Sequence, residues 1–163
     1  MLTQEFIKEI LNYDADTGIF TRKIRTANCV KIGDIAGTKD TKGYIQIRIK
    51  KVKYSAHRMA WLYVYGYLPT LQIDHINCIK DDNRIANLRE ATQSQNMVNR
   101  NLLNKNTSGI VGVNWHKKSK KWRARCTING KRFNLGDFSS IDDASIAYNN
   151  FAKNNQGNFY REC

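Results

Sequence analysis

Apolar residues recur at helical spacing at the start of the chain, where Leu2, Phe6, Ile7, Ile10 and Leu11 are interleaved with Glu5, Lys8 and Glu9. The spacing predicts a short amphipathic helix. Asn12 and "YDADTG" predict its end in a turn; "DADTG" has the first acids of a calcium loop but not the rest of the twelve-residue pattern or its closing Glu. From Gly18 to Ala56 the pattern changes to period two through "GIFTRK", "VKIGDIAG" and "GYIQIRIKKVKYSAH", with Ile45, Ile47 and Ile49 alternating with Tyr44, Gln46 and Arg48. A small antiparallel sheet with a hairpin is expected there. "HRMAWLYVYGYLP" follows, an apolar and aromatic run of helix length stopped by Gly66 and Pro69. His57 at its start reads as a structural histidine or a cap.

The next stretch, "QIDHINCIKDDNRIANLREATQSQN", predicts a strand ending at Ile73-Asp74-His75, a polar loop, a second strand, and a helix from about Gln93 through Leu102. Thr92 and Gln95 are spaced as a capping box for that helix, and Asn96 falls in its first turn or just beyond. "NLLNKNTSGIVG" has linker composition. Beyond it, "VGVNWHKKSKKWRARCTINGKRFNLGDF" alternates over three segments, and its Asn129-Gly130 pair is a strong hairpin signal. Ser140 and Asp143 form another capping box, and Ala144, Ala147, Tyr148 and Phe151 make the apolar face of a closing helix.

Charge narrows the class of partner. Among 163 residues, 27 are Lys or Arg and 14 are Asp or Glu, a net charge of +13, which points to a polyanion and foremost to nucleic acid. The charge is uneven: residues 1 to 71 carry 12 basic and 6 acidic groups, 72 to 104 carry 4 and 4, and 105 to 163 carry 11 and 4. Basic flanks around a neutral centre suit a backbone grip on either side of local chemistry that needs acids. No stretch approaches the roughly 20 apolar residues of a membrane span, and "MLTQEFIKEILNYD" lacks the features of a secretory signal. A soluble, intracellular protein with no membrane partner is expected. The 4 cysteines are scattered without a C-x-x-C pair, so reduced thiols are expected, and His75-x-x-Cys78 has no second ligand pair to complete a zinc tetrahedron.

Phosphodiester hydrolysis needs a base for water and a cation against the negative charge of the transition state. A neutral histidine supplies the first. Carboxylate and amide oxygens hold the hard divalent ions that supply the second. Asp74 and His75 are neighbours, so they reach one phosphate only if the strand ends or bulges there. Asn77, Asn83 and Asn87 beside Asp81 and Asp82 also have a plain reading as turn formers.

"IDHINCIKDDNRIANLREATQSQNMVNR", with "SAHRMAWLYVYGYLP" and "YDADTGIFTRK" before it, resembles the HNH homing endonucleases of phages. The resemblance implies a ββα-metal motif at about 70–103 within a nuclease domain spanning 1–104, whose β-rich part is 1–56. It implies His75 as general base, Asp74 and Asn96 as ligands of one divalent ion, magnesium or manganese, and Asn87 as the residue that holds the loop and the histidine, an H-N-N variant. Cys78 stands at the family's usual Gly, in a turn expected to need positive φ, at a cost of roughly 1 kcal/mol.

"SGIVGVNWHKKSKKWRARCTINGKRFNLGDFSSIDDASIAYNNFAKNNQG" resembles an AP2 DNA-binding domain, implying a second domain over 105–163 in which a three-stranded sheet enters the major groove with the helix behind it. By alternation Trp122, Ala124 and Cys126 face that helix while Arg123, Arg125 and Thr127 face outward. Asn114, His116, Arg125, Thr127, Arg132 and Asn134 fall where family members touch DNA, and Lys121 and Arg123 complete the expected DNA-binding set. The fold expected is α+β: a small antiparallel sheet and a ββα-metal motif, then a three-stranded sheet packed on one helix.

Together these resemblances imply a metal-dependent DNA endonuclease of homing or nicking type. They imply a monomer with double-stranded DNA as partner, no evident protein partner, and a place in the cytoplasm of a phage-infected bacterium. The reading from another class is a DNA-binding regulator whose nuclease half is only a scaffold, and a third is an RNA binder, for which no ribonucleoprotein-type aromatic motif is present.

Overall fold

Thr3 accepts the Phe6 amide on its side chain and so opens helix α1 (Gln4–Ile10). The computed structural model describes residues 2–98 and 108–159 and divides into two compact units, Met1–Ala91 and Thr92–Cys163. The architecture is α+β with small antiparallel sheets.

In the first unit α1 ends earlier than its apolar spacing suggests. Leu11–Tyr13 is strand β1, paired antiparallel with β2 (Phe20–Arg22). Leu11 and Tyr13 are buried and Asn12 is exposed, so the residues expected to end the helix instead begin an alternating strand. "VKIGDIAG" is also corrected. Within it only Ile35 makes an isolated bridge, to Thr21, because the segment turns at Ile32-Gly33 and its backbone bonds go to the β2 edge at Phe20 and Arg22. A three-stranded sheet follows, β3 (Thr38–Lys39), β4 (Ile45–Ile49) and β5 (Val52–Ser55), in the order β3-β4-β5. Helix α2 (Ala56–Tyr65) ends at Gly66. Ile7, Leu11, Phe20, Ile47 and Met59 are the largest fully buried side chains, drawn from both helices and both sheets. Strands β6 (Gln72–His75) and β7 (Leu88–Ala91) form a two-stranded hairpin whose Ile73 and Leu88 join this core.

In the second unit α3 (Gln93–Val98) has the expected capping box: Gln95 donates its amide to the Thr92 hydroxyl and returns its side-chain oxygen to the Thr92 amide. The expected continuation to Leu102 lies outside the described residues. Ser94 accepts the Asn129 amide at 3.2 Å, which ties α3 to the far hairpin. Strands β8 (Val113–His116), β9 (Lys121–Ile128) and β10 (Lys131–Phe138) pair antiparallel in the order β10-β9-β8, with α4 (Ile141–Gln156) packed against them. Asn129 and Gly130 both have positive φ, 49° and 77°, the conformation a tight two-residue hairpin requires. Ser140 caps α4 by accepting the Asp142 amide, one residue earlier than the capping-box spacing places it. Val113, Ala124 and Cys126 meet Ala144, Tyr148 and Ala152 in a small core of its own.

Candidate functional site

Among the described residues the buried polar or charged side chains are Asp74, His75, Asn83 and Asn87, all on the β6/β7 hairpin and its loop. Burying polar groups is unfavourable unless each finds partners, and here the partners come largely from the loop itself. Asn87 Oδ1 accepts the Asn77 amide at 3.0 Å, while its Nδ2 donates to Asn77 Oδ1 at 3.0 Å and to the Asp82 carbonyl at 2.8 Å. Its own carbonyl accepts the Ile76 amide. A single amide thus staples both sides of the loop that follows His75. Asn77 also forms the turn expected of it, accepting the Ile79 amide, and donates to Asp82 at 2.6 Å. Arg84 grips Asp82 with its fork and holds that carboxyl down at about 2.

Strand β6 ends at His75, which meets the geometric condition for its side chain to leave strand alternation. The ring is buried among three neighbours: Asn83 Oδ1 lies 3.2 Å from Nε2, His57 meets the ring edge-on at 5.2 Å between centroids, and Tyr44 lies at 6.0 Å. Burial lowers its pKa, and the Asn83 bond and the nearby acids Asp74, Asp82 and Asp81 work against that shift. His57 is pushed down to about 4, first by burial and then by the positive potential of His75 and Arg58, and its buried Nδ1 has no hydrogen-bond partner among the described residues. Asp74 stands opposite Arg89 in the β6/β7 register, and Arg89 donates to its Oδ2 from Nε at 2.9 Å and Nη2 at 2.8 Å.

Cys78 has φ 62°, the left-handed conformation expected of a glycine position. The hairpin brings Asp74, His75, Asn83 and Asn87 into one buried cluster. Asn96, the second expected metal ligand, sits on α3 in the second unit, half-buried, with its amide bonded to the Thr92 carbonyl. The sequence reads Asn83 only as a turn former and His57 only as a structural histidine or cap, and assigns neither a functional role. Asn83 lies in a run of turn formers, and His57 lies 18 positions before His75 on a different element.

Register decides the outer face of the second sheet. Arg123 stands opposite both Asn114 and Asp137, Arg125 opposite Asn134, Thr127 opposite Arg132, and Lys121 opposite His116. Directly paired residues share a face, so all eight expected DNA-binding residues lie on the side away from buried Ala124 and Cys126. A bulge between Asn134 and Gly136 resets the alternation and places Asp137, an acid, on the same face. Arg123 is engaged there: Nη2 donates to Asp137 Oδ2 at 2.6 Å and to His116 Nδ1 at 2.7 Å, and Nε bonds Oδ1. Its fork holds the Asp137 carboxyl far below the ordinary carboxylate range.

The HNH endonuclease family matches over residues 54–98, and the AP2 domain family over residues 108–158. Two different families thus match successive, non-overlapping segments of the chain. The HNH segment runs from β5 to the last residue of α3, so it takes in His57, Asp74, His75, Asn83, Asn87 and Asn96. The AP2 domain contains β8, β9, β10 and α4. The chain is similar to Protein 3.8 of Escherichia phage T7, 34% identical over 80 residues, which are 48% of this chain and 66% of that protein. A solved structure of DNA binding and cleavage by the HNH homing endonuclease I-HmuI aligns at 25% identity over 55% of this chain and 51% of that one, with a TM-score of 0.42. The chain therefore spans less than two thirds of the length of either. No helix among the described residues is long and apolar enough to cross a membrane.

Proposed function

We propose that this chain is a metal-dependent DNA endonuclease whose AP2 sheet and basic N-terminal sheet hold duplex DNA while the β6/β7 hairpin cleaves one strand. The observation that carries the reading is the buried polar cluster of Asp74, His75, Asn83 and Asn87 inside the HNH segment. A hairpin that served only as scaffold would be more stable with apolar residues in those places.

His75, depressed in pKa by burial, is neutral at physiological pH and so is ready to accept a proton. It takes that proton from water; the water oxygen attacks phosphorus, the bond from phosphorus to the departing oxygen breaks, and that oxygen takes a proton from solvent. Asn87 keeps the His75 loop in shape through its staple to Asn77 and Asp82. Asp74 and Asn96 are the residues proposed to hold magnesium or manganese. Their oxygens are the hard donors such ions prefer. A divalent ion held there supplies positive charge against the phosphate and the departing oxygen. One site per monomer nicks one strand; a double-strand break needs a second copy or a second encounter. The phage protein to which the chain is similar supports a phage-encoded enzyme acting in the cytoplasm of an infected bacterium.

The test is conversion of supercoiled plasmid carrying DNA of the source genome to open circles, with magnesium, manganese or chelator. Nicking that depends on the metal and disappears in His75→Ala and Asp74→Ala, with DNA binding retained, is the expected result. Salt-sensitive binding without nicking under any divalent ion would point instead to a DNA-binding regulator.

A further inference from the structure

We propose that Asn83 is a positioning residue whose carboxamide fixes which nitrogen of His75 carries the proton. Asn83 Oδ1 faces His75 Nε2 at 3.2 Å, and Asn83 Nδ2 donates to the Asp81 carbonyl at 3.2 Å. Turning the amide over would bring Oδ1 against that carbonyl, two acceptors in contact, because a carbonyl has no proton to give. The Asp81 carbonyl therefore sets the direction of the amide. The amide in turn presents an acceptor to Nε2, which must carry the hydrogen. A neutral imidazole has one N–H, so the lone pair falls on Nδ1, and Nδ1 is the atom that takes a proton from water.

Asn83 is unable to drift away from the ring. It is 2% exposed, and its carbonyl accepts the Tyr13 hydroxyl at 2.7 Å from a strand 70 residues earlier. Gly18 backs the same peptide so closely that a Cβ there would lie 2.4 Å from the Arg84 nitrogen and 2.5 Å from the Asn83 carbonyl carbon. His57 and Tyr44 hold the ring from other sides.

The catalytic consequence rests on the nuclease reading above, but the tautomer can be measured without it. The full chain, labelled with nitrogen-15 histidine, is observed by NMR with the ring neutral, and His75→Gln assigns the signals. Wild type should show a single Nε2–H tautomer with a slowly exchanging Nε2 proton. Asn83→Leu, close in size but unable to accept, should show a mixed tautomer and a rapidly exchanging proton. Asn83→Asp still offers Nε2 an acceptor, and with its other oxygen protonated against the Asp81 carbonyl it should restore the single form. If Asn83→Leu does not fold, Asn83→Ala, which also has no side-chain acceptor, provides the same comparison. Nicking should follow the tautomer, falling by about tenfold to a hundredfold in Asn83→Leu and recovering in part in Asn83→Asp. A wild-type ring with its proton on Nδ1, or an unchanged single tautomer in Asn83→Leu, overturns the role of Asn83. A locked ring in a chain that nicks no DNA overturns the nuclease reading instead.

Discussion

The Tyr13 hydroxyl donates to the Asn83 carbonyl at 2.7 Å, joining the first β-hairpin of the chain to the loop that carries the candidate active site. Burial raises the Tyr13 pKa far above its usual value, so the hydroxyl remains a donor at any physiological pH. Tyr13→Phe keeps the ring contacts with Phe20 and Tyr63 but leaves the Asn83 carbonyl unpaired. The expected loss is about 1–2 kcal/mol in chemical denaturation, together with slower nicking at unchanged DNA affinity. An unaltered midpoint would mean that water replaces the hydroxyl.

Gly18 has φ +73°, and a Cβ at that position would meet the Asn83–Arg84 peptide at 2.4–2.5 Å. Both the conformation and the space demand glycine. Gly18→Ala should cost roughly 2 kcal/mol or more and reduce nicking more than binding, because the strain is relieved by moving the loop that holds Asn83. Denaturant midpoints and plasmid nicking measured on one preparation test both halves.

Cys78 offers the reverse case. Its φ of 62° is one that glycine adopts freely. Cys78→Gly should stabilise the chain by up to about 1 kcal/mol, offset in part by the greater freedom of glycine in the unfolded state. Nicking should be equal or faster. A destabilised variant would show that contacts of the thiol outweigh the backbone strain.

The pKa of His57 is depressed, from 6.5 to about 4 in the folded chain, and that of His75 moves in the same direction. Between those pH values the unfolded chain binds protons that the folded chain refuses, so stability is full above about 6.5 and is lost as pH falls toward 4. His57→Phe should flatten that decline. Thermal midpoints from pH 7 down to about 4 test it; parallel curves for the two proteins would remove His57 as a cause.

Asp137 puts a negative charge on the outer face of the AP2 sheet and occupies the Arg123 fork. Asp137→Asn should raise non-specific DNA affinity and steepen its salt dependence by about one phosphate contact. Arg125→Ala should lower both by a similar amount. Filter binding over a range of salt concentrations separates these slopes. No change in Asp137→Asn would mean that Arg123 lies outside the contact surface.

The sequence by itself determined what depends on neighbours along the chain. Period two in β4 and β9, the Asn129-Gly130 turn, the Thr92–Gln95 capping box and the sidedness of Arg123, Arg125 and Thr127 follow from local geometry that a few consecutive residues fix. The α+β class was legible for the same reason, and the Asp74-His75 pair stood out through the resemblance carried by the stretch around it. Local pattern misled where tertiary pairing prevailed. Leu11–Tyr13 became a strand because Phe20–Arg22 offered it a partner, and "VKIGDIAG" stayed irregular because its bonds went to a strand edge. The tertiary structure alone decided the surroundings of His75. Tyr13 and Gly18 fix the Asn83 backbone, His57 and Tyr44 flank the ring, and a bulge brings Asp137 onto the face of Arg123. These contacts join residues far apart in the chain, or depend on a bulge that shifts the register. Sequence spacing carries no sign of either, since buried hydrogen bonds and ring contacts depend on where the core brings distant backbone together.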